Sequence, residues 1–323
     1  MEIAQINKLK NNRFFETYKT QISTFIALIA IGLILSLMTD KFLTGKNLLS
    51  VMRQSSINSI LAAGMTFVII SGGIDLSVGA IVALSTAIMG DLVVNSGLNP
   101  FMGMAVALLL GVIAGSTQGL IIAKVKIPPF IVTLGGMTVW RGVALEYVNG
   151  SNVYGLPKPL IWLGGGDVLG IPAPVLMALL VYLGAWFLLK KTKFGTYTYA
   201  IGGNEVAARL SGINIDKILV LIYSLNGLLC GVSGILIAGR INATSAVVGV
   251  GYELDAIAAV AIGGTSMSGG KGIIWGTLLG ALVMGVIRNG LNLMRVSPYY
   301  QQIIIGVVIV GAVSIDALRR SRK

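Results

Sequence analysis

Apolar runs of about 20 residues, the length a helix needs to cross a hydrocarbon core of about 30 Å, recur along the whole chain with short connectors between them. The first is Ile22 to Met38, and Val283 begins the last stretch before a basic tail. So much apolar surface is too much for a soluble domain. The pattern predicts an all-α, polytopic membrane protein with about ten transmembrane helices.

The expected spans are 20–38, 56–73, 76–94, 101–123, 130–147, 172–189, 217–239, 253–266, 272–292 and 298–316. The least certain divisions fall at Gly72–Gly73 and around Gly263–Gly270, where the chain has the glycine to bend and re-enter. Ten spans in 323 residues leave no length for a soluble nucleotide-binding domain, so residues 1–323 read as a single transmembrane domain. The polar start and the loop 40–47, with no clear small-residue cleavage site, mark the first run as a retained span rather than a signal peptide.

Basic residues set the orientation. Lys8, Lys10, Arg13 and Lys19 precede the first span, and Lys124 and Lys126 follow the fourth. Lys190, Lys191, Lys193, Arg209 and Lys217 separate the sixth from the seventh, and Arg319, Arg320, Arg322 and Lys323 end the chain. With ten spans all four clusters share one side, which is then the cytoplasm, with both termini. An odd count would divide the terminal clusters between two faces. The net charge of +12 is thereby assigned to membrane anchoring and not to nucleic acid. The lone cysteine, Cys230, rules out an intrachain disulfide and reads as packing.

Glycine is frequent at helical spacing, as at Gly111/Gly115, Gly227/Gly231/Gly234 and Gly276/Gly280, where it lets transmembrane helices approach closely. Among polar residues, Asp75 is the most informative. It lies in Ser71-Gly-Gly-Ile-Asp-Leu-Ser-Val-Gly79, between two apolar spans. A carboxylate there must face protein, water or a helix end. Capping of the next helix by Asp75 or Ser77, lining of a gate, and proton relay are its three readings. Glu253 and Asp255 open the eighth span, where they complement the helix dipole or sit at an outer mouth. Asn58, Gln118, Asn226 and Asn289 are isolated polar residues for interhelical bonds or a hydrophilic path. Histidine is absent and buried acids form no ladder, which argues against a proton-driven carrier. A sodium site of backbone carbonyls stays open. No repeated filter segment, nucleophile–base pair, metal-ligand set or cofactor motif is present.

The segment 198–214 differs from its surroundings. Gly202 and Gly203 allow a sharp entry, Asn204 is a helix cap, and Glu205 and Arg209 are spaced to pair. Val206, Ala207 and Leu210 form a short apolar stripe, and Gly212 ends the helix. So short a helix needs something to pack against, either its own membrane domain or a cytoplasmic subunit. Gly-Gly-Asn-Glu lacks the lysine of a phosphate loop, so it is no evidence for nucleotide binding.

Five pieces together resemble the permease subunit of bacterial ribose-type ABC importers. They are residues 71–79, Ile127-Pro-Pro-Phe-Ile-Val-Thr-Leu-Gly135, Ala200-Ile-Gly-Gly-Asn-Glu205, Arg209-Leu-Ser-Gly-Ile213, and Tyr252-Glu-Leu-Asp-Ala-Ile-Ala-Ala259 with Gly263-Gly-Thr-Ser. The resemblance extends over nearly the whole chain and implies an importer of ribose or a closely related monosaccharide in the bacterial inner membrane. It implies a second permease copy, an ATPase with two fused nucleotide-binding modules, and an extracytoplasmic sugar-binding protein. It also implies that Gly202, Gly203, Asn204, Glu205, Ala208, Arg209 and Gly212 form the coupling helix, near 204–211, that meets the ATPase. A stand-alone secondary sugar carrier and a structural ATPase anchor are the alternatives.

Overall fold

Several helices begin at side-chain caps, supplied by Thr44, Asn99, Thr192, Asn204 and Asn214. The computed structural model describes the backbone of residues 2–321 and the side chains of residues 20–314. Met1, Lys323 and the basic side chains at both ends, from which the position of the termini was inferred, lie outside the described residues. Helix α1 is Glu2–Met38. Helix α2, Gly45–Ile70, starts at Thr44, whose Oγ1 accepts the Asn47 N–H at 3.4 Å. Helix α3 is Val78–Val94. Helix α4, Pro100–Leu120, has an Asn99 cap and proline in its first turn. Its end widens into a π-turn, Ile121–Val125, which Lys126 closes in a left-handed conformation. Helix α5 is Pro129–Tyr147.

A long connection follows, made of strand β1 (Val153–Tyr154), helix α6 (Lys158–Gly165) and the hairpin of β2 (Asp167–Val168) and β3 (Ile171–Pro172). Helix α7, Ala173–Lys191, leads into α8, Lys193–Gly203, and the short α9, Glu205–Leu210. Helix α10 is Ile215–Ile241, and strand β4, Ala243–Thr244, pairs antiparallel with β1. The chain ends with α11 (Tyr252–Ile262), α12 (Ile274–Leu293) and α13 (Pro298–Ser321).

Among the described residues, five helical stretches are long and apolar enough to cross a bilayer: Thr20–Met38, Pro100–Val125, Ala173–Lys191, Ile215–Ile241 and Ile274–Leu293. Most expected spans match a helix to within a few residues. Three differ. Helix α2 begins well before residue 56, because Thr44 caps it there. Helix α1 begins well before residue 20, although its apolar stretch, Thr20–Met38, coincides with the expected span. The span expected at 253–266 stops at Ile262, and its 11 residues rise only about 16 Å, half a hydrocarbon thickness. Helix α8, between the sixth and seventh expected spans, has no counterpart among the expected helices.

Helix α2 is the centre of the bundle and packs against α7, α10, α11 and α12. From Ser55 to Ile70 nearly every residue is buried, as expected of a helix apolar on all sides. Helix α3 is enclosed by α4, α5 and α10. The α4–α10 contact is glycine on glycine: a Cβ on Gly111 would strike the Gly227 carbonyl, and one on Gly227 the Gly111 carbonyl. Helix α12 meets α11 in the same manner through Gly276 and Gly280. Polar cross-links secure α2 further. Thr66 and Thr277 share a hydrogen bond of 2.9 Å, the Tyr182 hydroxyl donates to the Ser59 carbonyl, and the amides of Asn47 and Asn289 bond reciprocally at 3.0 and 2.8 Å.

Overpacking a core costs ~1–3 kcal/mol, and at this seam the added atoms meet main chain. Gly111→Val is therefore expected to lower the apparent melting temperature of the detergent-solubilised protein by several degrees. Gly135→Val, where a Cβ meets open space, is expected to leave it unchanged.

Candidate functional site

The main chain leaves the helical state in the segments 71–77 and 263–273, and the two breaks meet. Helix α2 ends with Gly72 left-handed, the Gly73 N–H reaching Val68 O and the Gly72 N–H reaching Ile69 O. Helix α11 ends by the same device at Gly264, with Thr265 N–H on Val260 O. The Gly270 N–H then donates to the free Ile70 carbonyl at 2.8 Å. Gly202 of α8 sits in the same knot, where a Cβ would collide with that carbonyl. The Tyr199 hydroxyl completes it with a 2.8 Å bond to Gly272 O.

Asp75 lies just past the first break and is fully buried. Its Oδ1 accepts the Ser77 N–H at 2.8 Å and the Ser77 hydroxyl at 2.6 Å, and its Oδ2 accepts the Asn226 amide at 2.7 Å. The Gln118 amide donates to Ser77 Oγ at 2.8 Å. The break, α4 and α10 are thus joined through one carboxylate. Ser77 precedes α3 but its side chain caps no α3 amide. Asp75 instead fixes Ser77 itself. No cation pairs with Asp75 among the described residues, so hydrogen bonds alone offset its burial.

Beside the break, a cleft of about 380 Å³ is lined by Gly72, Gly73, Lys126, Glu205, Arg209, Asp216 and Tyr223. The Tyr223 hydroxyl is buried there and has no partner among the described residues. Lys124 bridges to Asp216 at 3.1 Å on the rim. Helix α9 forms one wall. Asn204 caps it through the Ala207 N–H at 2.9 Å, Glu205 and Arg209 pair at 3.1 Å, and Gly212 ends it left-handed. Ala208 is buried, whereas Val206 and Leu210 are 70% and 85% exposed. The apolar stripe therefore faces away from the chain.

The remaining candidates lie apart. Asp255 is buried and accepts from Arg288 Nη2 at 2.7 Å. Glu253 is half-buried, and Asn58 is half-buried with no hydrogen bond among the described residues. Asn289 joins Asn47 and not the Asp75 group. The sequence reading passed over Arg288 and Arg141. Each is a charged residue inside an apolar span, which was the available signal.

This is a multi-pass helical membrane protein whose broken spans are packed in protein. The family model described as "Branched-chain amino acid transport system / permease component" matches residues 47–313, and the chain belongs to that permease family. The ribose import permease protein of Escherichia coli (strain K12) is 46% identical over 307 residues, 94% of this chain and 95% of that protein. Its counterpart in Bacillus subtilis (strain 168) is 44% identical over 318 residues, 98% of each chain. The D-allose transport system permease protein of Escherichia coli (strain K12) is 36% identical over 306 residues, 94% of this chain and 93% of that protein. No solved structure matches the chain.

Asp75→Ala leaves the Asn226 amide and both Ser77 donors without their acceptor, at ~1–3 kcal/mol for each buried orphan. The expected result is a fall of about 5 °C or more in apparent melting temperature. Asp75→Asn, which keeps an acceptor, is expected to lose less. Identical melting of Asp75→Ala and the parent would show that the network carries no stability.

Proposed function

We propose that this chain is the membrane-spanning permease subunit of an ATP-driven importer of ribose or a closely related monosaccharide. The observation that carries the reading is the near-full-length similarity to two ribose import permeases. A neutral sugar also suits a molecule with few unpaired buried charges, since its passage needs hydrogen bonds and fit more than counter-charge.

In this reading the chain makes ten crossings of the bacterial cytoplasmic membrane. The breaks at 71–77 and 263–273 complete the crossings that α3 and α11 begin or end. The end of the bundle that carries α9 faces the cytoplasm, as do both termini. Lys124, Lys126 and Arg209 around one cleft support this orientation. Two copies form the path, a binding protein delivers sugar to the opposite end, and a cytoplasmic ATPase with two fused nucleotide-binding modules supplies energy.

Helix α9 is the coupling element, and Gly202, Gly203, Asn204, Glu205, Ala208, Arg209 and Gly212 build it. Ala208 seats it on the chain, and Val206 and Leu210 present an apolar pair to the ATPase. Gly202 places its base on the knot that joins the ends of α2 and α11. A push on α9 thereby reaches the backbone breaks, with Asp75 and Ser77 as the polar joint behind them.

The test is sugar uptake in vesicles holding the permease and its ATPase, with a panel of loaded binding proteins. Accumulation of ribose or a close relative is expected only with both ATP and the binding protein. Uptake by the isolated chain driven by an ion gradient alone would overturn the reading. An exposed ion pair contributes only ~0.2–1 kcal/mol to a fold, so Glu205→Ala with Arg209→Ala should hardly change melting. The same pair of changes is expected to depress sugar-stimulated ATP hydrolysis and uptake together. Leu210→Ser should weaken co-purification of the ATPase.

A further inference from the structure

Arg141 projects from the second half of α5, and its Nη1 donates to two main-chain carbonyls, Ala246 O at 2.7 Å and Val248 O at 2.6 Å. Both belong to the irregular segment 245–251 that joins β4 to α11. Gly249 and Gly251 in it are left-handed, with φ of 80° and 84°. Its inner side is seated on α3, where a Cβ on Gly79 would strike the Gly249 carbonyl. Its outer side is bare, with Val247 and Val250 62% and 70% exposed.

Arg141 fastens together parts that otherwise touch little. Helix α5 packs on α3 and α4, and α11 packs chiefly on α2, α12 and α13 with a small contact to α3. Two carbonyls take the Nη1 N–H groups without neutralising the guanidinium's charge. A carboxylate stands nearby: Glu253 Oε2 lies against Gly79, 2.8 Å from where that residue's Cβ would be. Glu253 is close enough to act on Arg141 electrostatically. It has no ion pair among the described residues, whereas its neighbour Asp255 is bound to Arg288. One cation thus holds two carbonyls while a carboxylate without an ion pair among the described residues stands against the same Gly79 contact.

We propose that Arg141 is the positioning residue of a gate beside the start of α3, holding segment 245–251 down through the Ala246 and Val248 carbonyls and transferring to the Glu253 carboxylate when the segment lifts. The inference rests on the reading of the chain as an import permease. The guanidinium suits the task because it keeps its charge and offers several donors in one plane. A barrier with two discrete arrangements is what alternate opening requires.

The experiment uses the complete importer in vesicles. Arg141→Gln is expected to raise ATP hydrolysis in the absence of binding protein by at least ~5-fold, the lower end of the range for coupled sites, with uptake reduced. Arg141→Lys should restore part of the control. Val247→Cys supplies a second readout, since the native Cys230 is buried. An impermeant maleimide should label it faster in the Arg141→Gln background. Glu253→Gln should keep basal hydrolysis low yet slow uptake. Unchanged hydrolysis and unchanged labelling in Arg141→Gln would overturn the proposal. If that variant does not insert, Glu253→Gln decides, and normal uptake with it would overturn the proposal too. Failure of the parent importer to accumulate any monosaccharide would instead count against the functional reading, while Val247→Cys labelling of the permease still reports the gate.

Discussion

Main chain that leaves a helix within hydrocarbon must find partners for its amides and carbonyls inside the protein. This requirement organises the molecule. The Ile70 carbonyl, freed at the end of α2, is taken by the Gly270 N–H from the second break. Each break therefore supplies what the other lacks, and neither is satisfied alone. Gly202 occupies the same point because only a residue without a side chain fits against that carbonyl. Three stretches far apart in sequence are thus fixed to one another by backbone chemistry.

The Asp75 network is the side-chain counterpart of that knot. A buried carboxylate is costly, and here three donors offset the cost. Those donors come from the break and from α10, with Gln118 of α4 behind Ser77. Because α4 and α10 are locked by their glycine seam, the network holds the start of α3 against a rigid pair. The compliant part of this end is then the cleft beside α9, where the Tyr223 hydroxyl has no partner among the described residues. A rigid frame against a cleft with unspent hydrogen-bonding capacity is a reasonable place for motion to be taken up.

Much of this was legible from residue types. Apolar run length gave the membrane class and most helices. Asn204, Glu205, Arg209 and Gly212 gave α9 with its cap, ion pair and stop, because capping chemistry is local. Gly72–Gly73 and Gly263–Gly270 were recognisable as bends. The meeting of those bends was not, since a hydrogen bond from Gly270 to Ile70 spans most of the chain and leaves no periodic trace. Gln118 and Asn226 stood out as polar residues in apolar runs, yet nothing in their spacing tied them to Asp75. The early start of α2 was hidden by Lys46 and Arg53, which interrupt the hydropathy pattern without interrupting the helix. Arg141 was passed over for the opposite reason: one cation in a long apolar run was averaged away, although its cost in hydrocarbon is what makes it informative.

Two irregular regions solve different problems with the same helices. In the knot beside α9, breaks are closed on one another through main-chain bonds, which cannot be exchanged for other partners without moving whole helices. Segment 245–251, seated on the first turn of α3, is held by a side chain, and a side chain can change partners by rotation. Helix α10 connects the two, with Asn214 capping its first turn and its last residues packed on α6. A shift of α10 as a rigid body therefore strains the Asn226–Asp75 bond at its middle and pulls on segment 245–251 through β4. Backbone closure makes the knot a joint of fixed connectivity, and the Arg141 contact makes segment 245–251 a joint whose connectivity can alternate.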